Sequence, residues 1–490
     1  MDYLDPKKRR RHQIMLYVGY VLIGIAIIIG TVVLLYQAYG FGVNKDGTVV
    51  QNGLFFFSSQ PHPADIYVNG AKKSVKTNTR LSLPAGNYKV ELKRDGYRDW
   101  QRNLSLAGGS VQHVDYPFLF PKTLESKKIQ TYTAAPGLVT QSPDHHWLLV
   151  EKLGDIKAFD LYDLKAPDKP AEALTLPDNV LTKAAGAPES LQPSEWADDN
   201  RHVVLQHTYG DKKEFILLDR ADPTQSVNLN NTLGLAPGKL TLRDKKFDSY
   251  YVYDGSTLQT ASLKTPGAQP YLEHVLNYQS YGSNIMLYAT NDKVPAGKVQ
   301  IKLQNGDKTY VLRTFPAGTT YLMDLTKYSG DMYVTTGASS ENKVYIYRDP
   351  IGQLDANPDR ALVPAQILHV TAPNYLSFSA SAQFIVTENA TEFGVYDIEY
   401  KEAYHYVSPF TLDPPQIHAE WMDGNRLTYV SGGKLAVFDY DNSNRQLLVP
   451  AASQYKPVFT PDYKLLYTVA LGTSGQFDLN QTYLLTPPDR

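Results

Sequence analysis

The stretch Trp421-Met422-Asp423-Gly424-Asn425, followed by Leu427-Thr428-Tyr429-Val430 and then by Val437-Phe438-Asp439, decides the fold of most of this chain. It reads as a polar turn, an apolar strand and a further strand that ends on aspartate. Asp-Gly chemistry after a large residue marks a tight turn. A short apolar run between turn signals marks a strand buried on both faces. The same order recurs. Ser142-Pro143-Asp144-His145-His146 leads into Trp147-Leu148-Leu149-Val150, and Trp196-Ala197-Asp198-Asp199-Asn200 into His202-Val203-Val204-Leu205. Phe459-Thr460-Pro461-Asp462-Tyr463 leads into Leu465-Leu466-Tyr467. Tyr250-Tyr251-Val252-Tyr253, Ile285-Met286-Leu287-Tyr288, Met332-Tyr333-Val334 and Phe384-Ile385-Val386 complete a set of eight. The terminal aspartate returns in Ala158-Phe159-Asp160, Leu217-Leu218-Asp219 and Val395-Tyr396-Asp397. The eight apolar strands follow one another at about 45 residues, the spacing of a four-stranded propeller blade.

These turns and strands resemble the WD40-like and TolB-like propeller repeats, whose turn reads Ser-Pro-Asp-Gly. The resemblance covers residues 120–490 and is least clear over roughly 239–362. It implies a ring of sheets. One four-stranded sheet cannot bury both faces, whereas a ring of them can. The expectation is a seven- or eight-bladed β-propeller, seven if the third or fourth unit is an insertion. Closure follows from the count of strands. The last blade ends near Gln481-Thr482-Tyr483-Leu484-Leu485 without an outer strand, and Lys128-Ile129-Gln130-Thr131-Tyr132 is expected to supply it beside Thr482–Leu485.

Upstream, an uncharged run of 23 residues, Ile14 to Tyr36, follows Lys7-Lys8-Arg9-Arg10-Arg11. As a helix it is long enough to cross a bilayer. The basic cluster places the N-terminus in the cytoplasm. A cleaved signal peptide would have a core of ~7–15 residues and a small-x-small exit. Here the exit is Tyr36-Gln37-Ala38-Tyr39-Gly40-Phe41, and the flanking Tyr17, Tyr20, Tyr36 and Tyr39 suit an interfacial belt. The expected order is a basic cytoplasmic tail (1–13), a transmembrane helix (14–36), a linker (37–53), a β-sandwich (54–119) and the propeller (120–490). The expected location is the cell membrane, single-pass, with the bulk of the chain extracytoplasmic.

Residues 54–119 alternate between apolar and polar positions and turn often. Phe55-Phe56-Phe57-Ser58 is a strand, Ile66-Tyr67-Val68 runs into the hairpin signal Asn69-Gly70, and Tyr88-Lys89-Val90-Glu91-Leu92 alternates before Asp95-Gly96. Leu81-Ser82-Leu83, Asn103-Leu104-Ser105-Leu106 and Val111-Gln112-His113-Val114 bring the set to about six strands, a small β-sandwich. The strings Ala64-Asp65-Ile66-Tyr67-Val68-Asn69-Gly70, Leu83-Pro84-Ala85-Gly86-Asn87-Tyr88-Lys89-Val90 and Gly96-Tyr97-x-x-Trp100 resemble the PEGA domain in order and spacing. The family usually has Gly before the Ala of the first string, where this chain has Pro63. The resemblance implies a cell-surface, non-catalytic module and names no ligand. Tyr88, Tyr97 and Trp100 read as core or turn-packing residues rather than a sugar platform.

Composition narrows the function. The chain has 490 residues, no Cys and a formal net charge of −2, with 36 Tyr, 31 Pro and 33 Gly. Many aromatics and turn formers indicate an all-β exterior. Beyond the basic tail the chain is mildly acidic, which argues against a nucleic-acid partner. No hydrolase, zincin or phosphate-loop motif is present. Without Cys, thiol catalysis and zinc–thiolate sites are excluded. His145-His146 are adjacent and diverge in a turn. Asp439-Tyr440-Asp441-Asn442-Ser443-Asn444 begins like a calcium loop but lacks its glycine and its closing glutamate. Asp198-Asp199 occupies the repeated turn. The expectation is therefore no metal, no cofactor and no catalytic constellation.

Function then falls to loops leaving the apolar strands, because loops on a rigid scaffold carry binding. The candidate ligand-binding residues are Tyr209, Asp211, Asn291, Asp292, Glu341 and Asn389. The expected protein is not an enzyme. It is a membrane-anchored extracytoplasmic binding or scaffolding protein of the cell envelope. Its expected partners are the lipid bilayer through 14–36 and an envelope protein or glycan at a propeller face. The alternative is a propeller enzyme acting on extracellular glycans, with Glu151, Asp211, Asp292, Glu341 or Glu388 as channel-mouth carboxylates.

Overall fold

The N-terminal apolar run is helical. In the computed structural model, which describes residues 6–38, 40–43, 49–183, 186–358, 360–487 and 489, one helix spans Pro6–Ala38. It starts before the uncharged run and so carries the basic cluster in its first turns, with Pro6 at the start, where a missing N–H costs nothing. From Arg9 to Tyr36 it is long and apolar enough to cross a membrane, and none of its most apolar window is buried against protein. Of the expected tail, residues 1–5 lie outside the described residues, as do 39 and 44–48 of the expected linker. Tyr39 of the interfacial belt is among them.

The chain divides into two compact units, the first, which includes the helix, ending at Thr123 and the second starting at Leu124. Beyond the helix, the first unit is a sandwich of two four-stranded sheets. One sheet centres on Val49–Phe57, which pairs with Phe41–Val43, with Thr79–Pro84 and, in parallel, with Val111–Val114. The other runs in the order Ala71–Lys76, Asp65–Val68, Gly86–Lys93, Trp100–Leu106. Alternation along each strand turns Phe55, Phe57, Ile66, Val68, Val90, Leu92 and Trp100 inward. Asn69 and Gly70 both have positive φ, 50° and 78°, as a two-residue hairpin turn requires. Tyr97 and Trp100 are core residues, and the Tyr88 hydroxyl donates to the Pro84 carbonyl at 2.6 Å. At the site of the departure from the PEGA pattern, the Gln60–Pro61 and His62–Pro63 bonds are both cis. The strand Ala71–Lys76 was absent from the sequence reading. Its side chains are largely exposed and lysine-rich, so it carries no apolar alternation.

The second unit contains eight four-stranded antiparallel sheets, which decides between seven and eight blades. Their innermost strands are Val139–Gln141, Glu189–Trp196, Lys239–Leu242, Val275–Tyr281, Tyr321–Tyr328, Tyr375–Phe378, Glu420–Trp421 and Val458–Phe459. Each of the eight apolar runs is the second strand of its blade. These are Trp147–Glu151, His202–Tyr209, Ser249–Tyr253, Ile285–Thr290, Asp331–Ala338, Phe384–Asn389, Arg426–Ser431 and Leu465–Leu471. They are buried because each blade packs both faces on its neighbours. Leu149, Phe159 and Leu161 of blade one meet Val203, Leu205 and Ile216 of blade two. Leu148 and Val150 meet Val458, Leu465 and Tyr467 of blade eight. Fully burying one such side chain contributes roughly 1.5–3 kcal/mol.

Two repeated side chains staple neighbouring blades at their innermost strands. Trp196 donates its indole N–H to Thr140 Oγ1 at 3.0 Å, and Trp421 donates to Ser377 Oγ at 3.0 Å. Each reaches back to the preceding blade. The glutamates before them reach forward: Glu195 accepts from the Leu242 N–H at 2.6 Å and pairs with Lys245, and Glu420 pairs with Lys456 Nζ at 2.8 Å.

The strand-end aspartates are turn formers. Asp219 Oδ1 accepts from the Ala221 N–H at 3.0 Å and the Asp222 N–H at 3.1 Å, and Asp397 Oδ1 from those of Glu399 at 3.0 Å and Tyr400 at 3.2 Å. In blade one the sequence reading chose the wrong aspartate. The third strand runs Ala158–Asp163, and Asp163 faces Trp147 as Asp219 faces His202, as Asp397 faces Phe384 and as Asp439 faces Arg426. Asp160 lies in mid-strand opposite Val150.

The ring closes with the N-terminal strand Glu125–Tyr132 as the outer strand of blade eight, paired antiparallel to Phe477–Tyr483. The register differs from expectation: Tyr132 faces Phe477, Lys128 faces Asn480, and Ser126 faces Thr482. The pairing strand begins three residues earlier than the stretch read from the sequence, at the exposed Glu125, so the apolar residues did not mark it.

Leu479 in this last blade is buried among Leu148, Val150 and Tyr467. Leu479→Ala is expected to cost about 2–5 kcal/mol in urea unfolding followed by tryptophan fluorescence. Leu471→Ala, in the same blade but exposed, is expected to stay within about 0.5 kcal/mol of wild type. Equal effects would contradict a packed seam.

Candidate functional site

Alternating strand direction sends every turn between second and third strands, and every crossover into the next blade, to one face of the propeller. That face receives all six candidate residues. Tyr209 ends the second strand of blade two and stacks on His207 at 5.0 Å, and Asp211 follows Gly210 in the turn. Asn291 and Asp292 form the turn after Ile285–Thr290, with the Asp292 N–H bonded to Thr290 Oγ1 at 3.1 Å. Glu341 ends a 3₁₀ turn and accepts from the Tyr345 hydroxyl at 3.2 Å. Asn389 donates to the Thr371 carbonyl at 2.9 Å. They sit on blades two, four, five and six, and among the described residues no hydrogen bond joins any two of them. The structure gathers them on a face and not into one cluster.

The same face carries exposed apolar side chains that the sequence reading left out. Val407 at the end of blade six is 62% exposed, Ile417 in the crossover to blade seven 67%, Leu471 in blade eight 64% and Leu153 in blade one 36%. The crossover is held in place: Asp413 accepts from the N–H groups of Gly432 at 3.0 Å and Gly433 at 2.7 Å, and Ser453 Oγ donates to the Pro414 carbonyl at 2.6 Å.

Among the proposed carboxylates, Glu151 and Glu388 take the same place, the fifth residue of a second strand. Glu388 is not a loop residue. It is fully buried, both its oxygens accept from the Ala419 N–H at 3.0 and 3.1 Å, and burial raises its pKa well above the ordinary value. Glu151 is partly buried, and among the described residues one of its oxygens, Oε2, has no hydrogen-bond partner. A side chain at Gly137 would place its Cβ 2.6 Å from that oxygen, so the glycine keeps the space. Burial, and then the charge of Glu189, push the Glu151 carboxyl up to about 7.

Beside Glu151 lies a group that sequence reasoning missed. His207 is fully buried, with Nδ1 2.9 Å from Glu214 Oε1 and Nε2 3.3 Å from Glu189 Oε2. Glu214 also accepts from the Thr182 N–H at 2.8 Å, the Thr182 hydroxyl at 2.6 Å and Asn228 Nδ2 at 2.8 Å. Burial acts to raise its pKa, but these bonds outweigh it and the net shift is downward. The available signal was a histidine two residues past the apolar run Val203-Val204-Leu205 of the second strand.

The channel itself holds a cavity of about 710 Å³ against blades one, two, seven and eight, lined by Gln141, Glu195, Trp196, Glu420, Trp421 and Tyr455 among others. Asp199, Asp423 and Asp441 are used in turns, accepting from the N–H groups of Arg201, Asn425 and Ser443. His146 bonds Asp163 at 2.9 Å while His145 turns toward Tyr463. No group of three or more His, Asp or Glu among the described residues is arranged to hold a metal ion.

Among solved structures the chain is similar to the Dos1 propeller, with 12% identity, a TM-score of 0.42 and coverage of 74% of this chain and 94% of that one. It is similar to Kluyveromyces lactis Hsv2p at 13% identity and TM-score 0.39, covering 64% and 97%. It is similar to an oligogalacturonate lyase in complex with manganese at 10% identity and TM-score 0.39, covering 74% and 98%. No curated protein matches the chain. Residues 53–119, within the first unit, match the PEGA domain.

Proposed function

We propose that this chain is a membrane-anchored, extracytoplasmic, non-catalytic protein that binds or scaffolds a partner of the cell envelope, protein or glycan, through one propeller face. One observation carries the reading. The face that presents Tyr209, Asp211, Asn291, Asp292, Glu341 and Asn389 also exposes Val407, Ile417, Leu471 and Leu153. Apolar contact rimmed by polar turns is how a protein surface meets a partner. The helix from Arg9 to Tyr36 supports the anchor, and the basic residues ahead of it support a cytoplasmic N-terminus.

A second reading, a propeller enzyme acting on extracellular glycans, is favoured by Glu151 alone. A carboxyl whose pKa is raised to about 7 beside a second carboxylate has the character of a general acid.

Three outcomes follow. Protease added to intact cells is expected to release the propeller, and full protection would contradict the orientation. Full-length protein in nanodiscs is expected to retain an envelope component, and replacing Tyr209, Asp211, Ile417 and Leu471 together by Ala is expected to weaken that retention about tenfold or more. Unchanged retention would move the site elsewhere, and glycan turnover abolished by Glu151→Gln would favour the enzyme. Glu151 has an ordinary value of 4.5 and a folded value of about 7, so between these pH values the folded chain keeps a proton that the unfolded chain has lost. Stability therefore falls as pH rises through this window. Urea midpoints of wild type and Glu151→Gln are expected to diverge from pH 4.5 to 7, with the wild type losing ground. Parallel curves would contradict the raised value.

A further inference from the structure

The closure seam holds a second cavity, of about 560 Å³, between the N-terminal strand of blade eight and the third strand of blade one. Tyr132, Tyr162 and Tyr467 line it and are only 5%, 8% and 3% exposed, so their rings form its walls. Asp160 also lines it, and here the misread aspartate becomes informative. At the matching register, opposite the fourth residue of the second strand, blade two has Ile216, blade six Gly394 and blade seven Ala436. All three are buried among the blades. The other four blades have Gln259, Lys302, Tyr347 and Asn480 at this place, so blade one alone puts a carboxylate there.

Asp160 is not consumed by the fold. Among the described residues its Oδ2 has only a long contact to the Tyr132 hydroxyl at 3.4 Å, and that hydroxyl lies 3.3 Å from the Tyr162 hydroxyl. Its Oδ1 pairs with Lys152 Nζ at 3.1 Å, on a side chain that is 39% exposed at the cavity rim. The chain's own ammonium thus marks what the site attracts. A carboxylate within tyrosine walls suits a cation, through its charge and through the ring faces.

The geometry points to a binding site for a primary ammonium group, of the lysine side-chain type, in the cavity between blades eight and one. The ligand ammonium takes Asp160, its alkyl stem lies along the tyrosine rings, and Lys152 swings out to water. This cavity reaches the turn that carries Leu153 but is lined by none of the six candidate residues of that face, so it stands or falls independently of the partner proposed there.

The test is calorimetric titration of full-length protein in nanodiscs with Nα-acetyl-lysine methylamide, its norleucine counterpart and n-butylamine. The lysine derivative is expected to bind at least about tenfold more tightly than the norleucine one, which keeps the stem and lacks the charge. Butylamine matching the lysine derivative would identify a free alkylamine as sufficient, and butylamine much weaker would identify a peptide side chain. Asp160→Asn is expected to weaken binding about tenfold or more. Lys152→Met removes the internal competitor and is expected to tighten binding several-fold, a gain that loss of folding cannot imitate. The inference is overturned if lysine and norleucine derivatives bind alike, if no probe gives heat, or if Lys152→Met leaves affinity unchanged.

Discussion

A four-stranded sheet with two apolar faces needs a neighbour on each side, and that need organises the second unit. Every second strand is sealed by the blade before it and the blade after it. A row of such sheets would leave its two end faces wet. The pairing of Glu125–Tyr132 with Phe477–Tyr483 removes both ends at once. Leu148, Val150, Leu465 and Leu479 depend on it, because their cluster forms only when blade one meets blade eight. The Trp196 and Trp421 staples act in the same sense at the channel wall, tying each of their blades back to the one before.

The second strands were legible because their physics is local. Both faces are buried, so a run such as Tyr250-Tyr251-Val252-Tyr253 is continuously apolar. The turns were legible for the same reason, since Asp199 and Asp423 must bond the N–H groups just after them. Other strands were not. Ala71–Lys76 sits at a sheet edge with its side chains in water and keeps no pattern. The register of closure depends on strands more than 300 residues apart, as with Ser126 and Thr482, and short-range pattern cannot set it. The choice between Asp160 and Asp163 turns on three residues of strand length, which composition does not fix.

The candidate site was legible in part. The turns holding Tyr209 through Asn389 do share a face, because alternation of strand direction is implied by the repeat. Glu388 failed as a loop residue since the strand runs three residues past Val386, to Asn389, and keeps Glu388 in the core. His207, Glu189 and Glu214 went unseen because strand register brings them together: it sets His207 opposite Glu214 on one neighbouring strand and places Glu189, opposite Tyr209 on the other, diagonally beside it. A buried histidine between two carboxylates is costly unless fully bonded, and the bonds to Glu214 from Thr182 and Asn228 offset that cost. These charges stand at the channel mouth, where blades one and two meet, and give that part of the face a chemistry that its simple polar turns lack.

The most direct measurement joins the two ends of the ring. Ser126 Oγ and Thr482 Oγ1 are 2.8 Å apart, and the chain contains no cysteine, so Ser126→Cys with Thr482→Cys reports on this contact without background. Mild oxidation of the folded protein, followed by mass spectrometry of the denatured chain, should find one intramolecular disulfide in nearly every molecule. Two free thiols, or only disulfides between chains, would contradict a closed ring of eight blades.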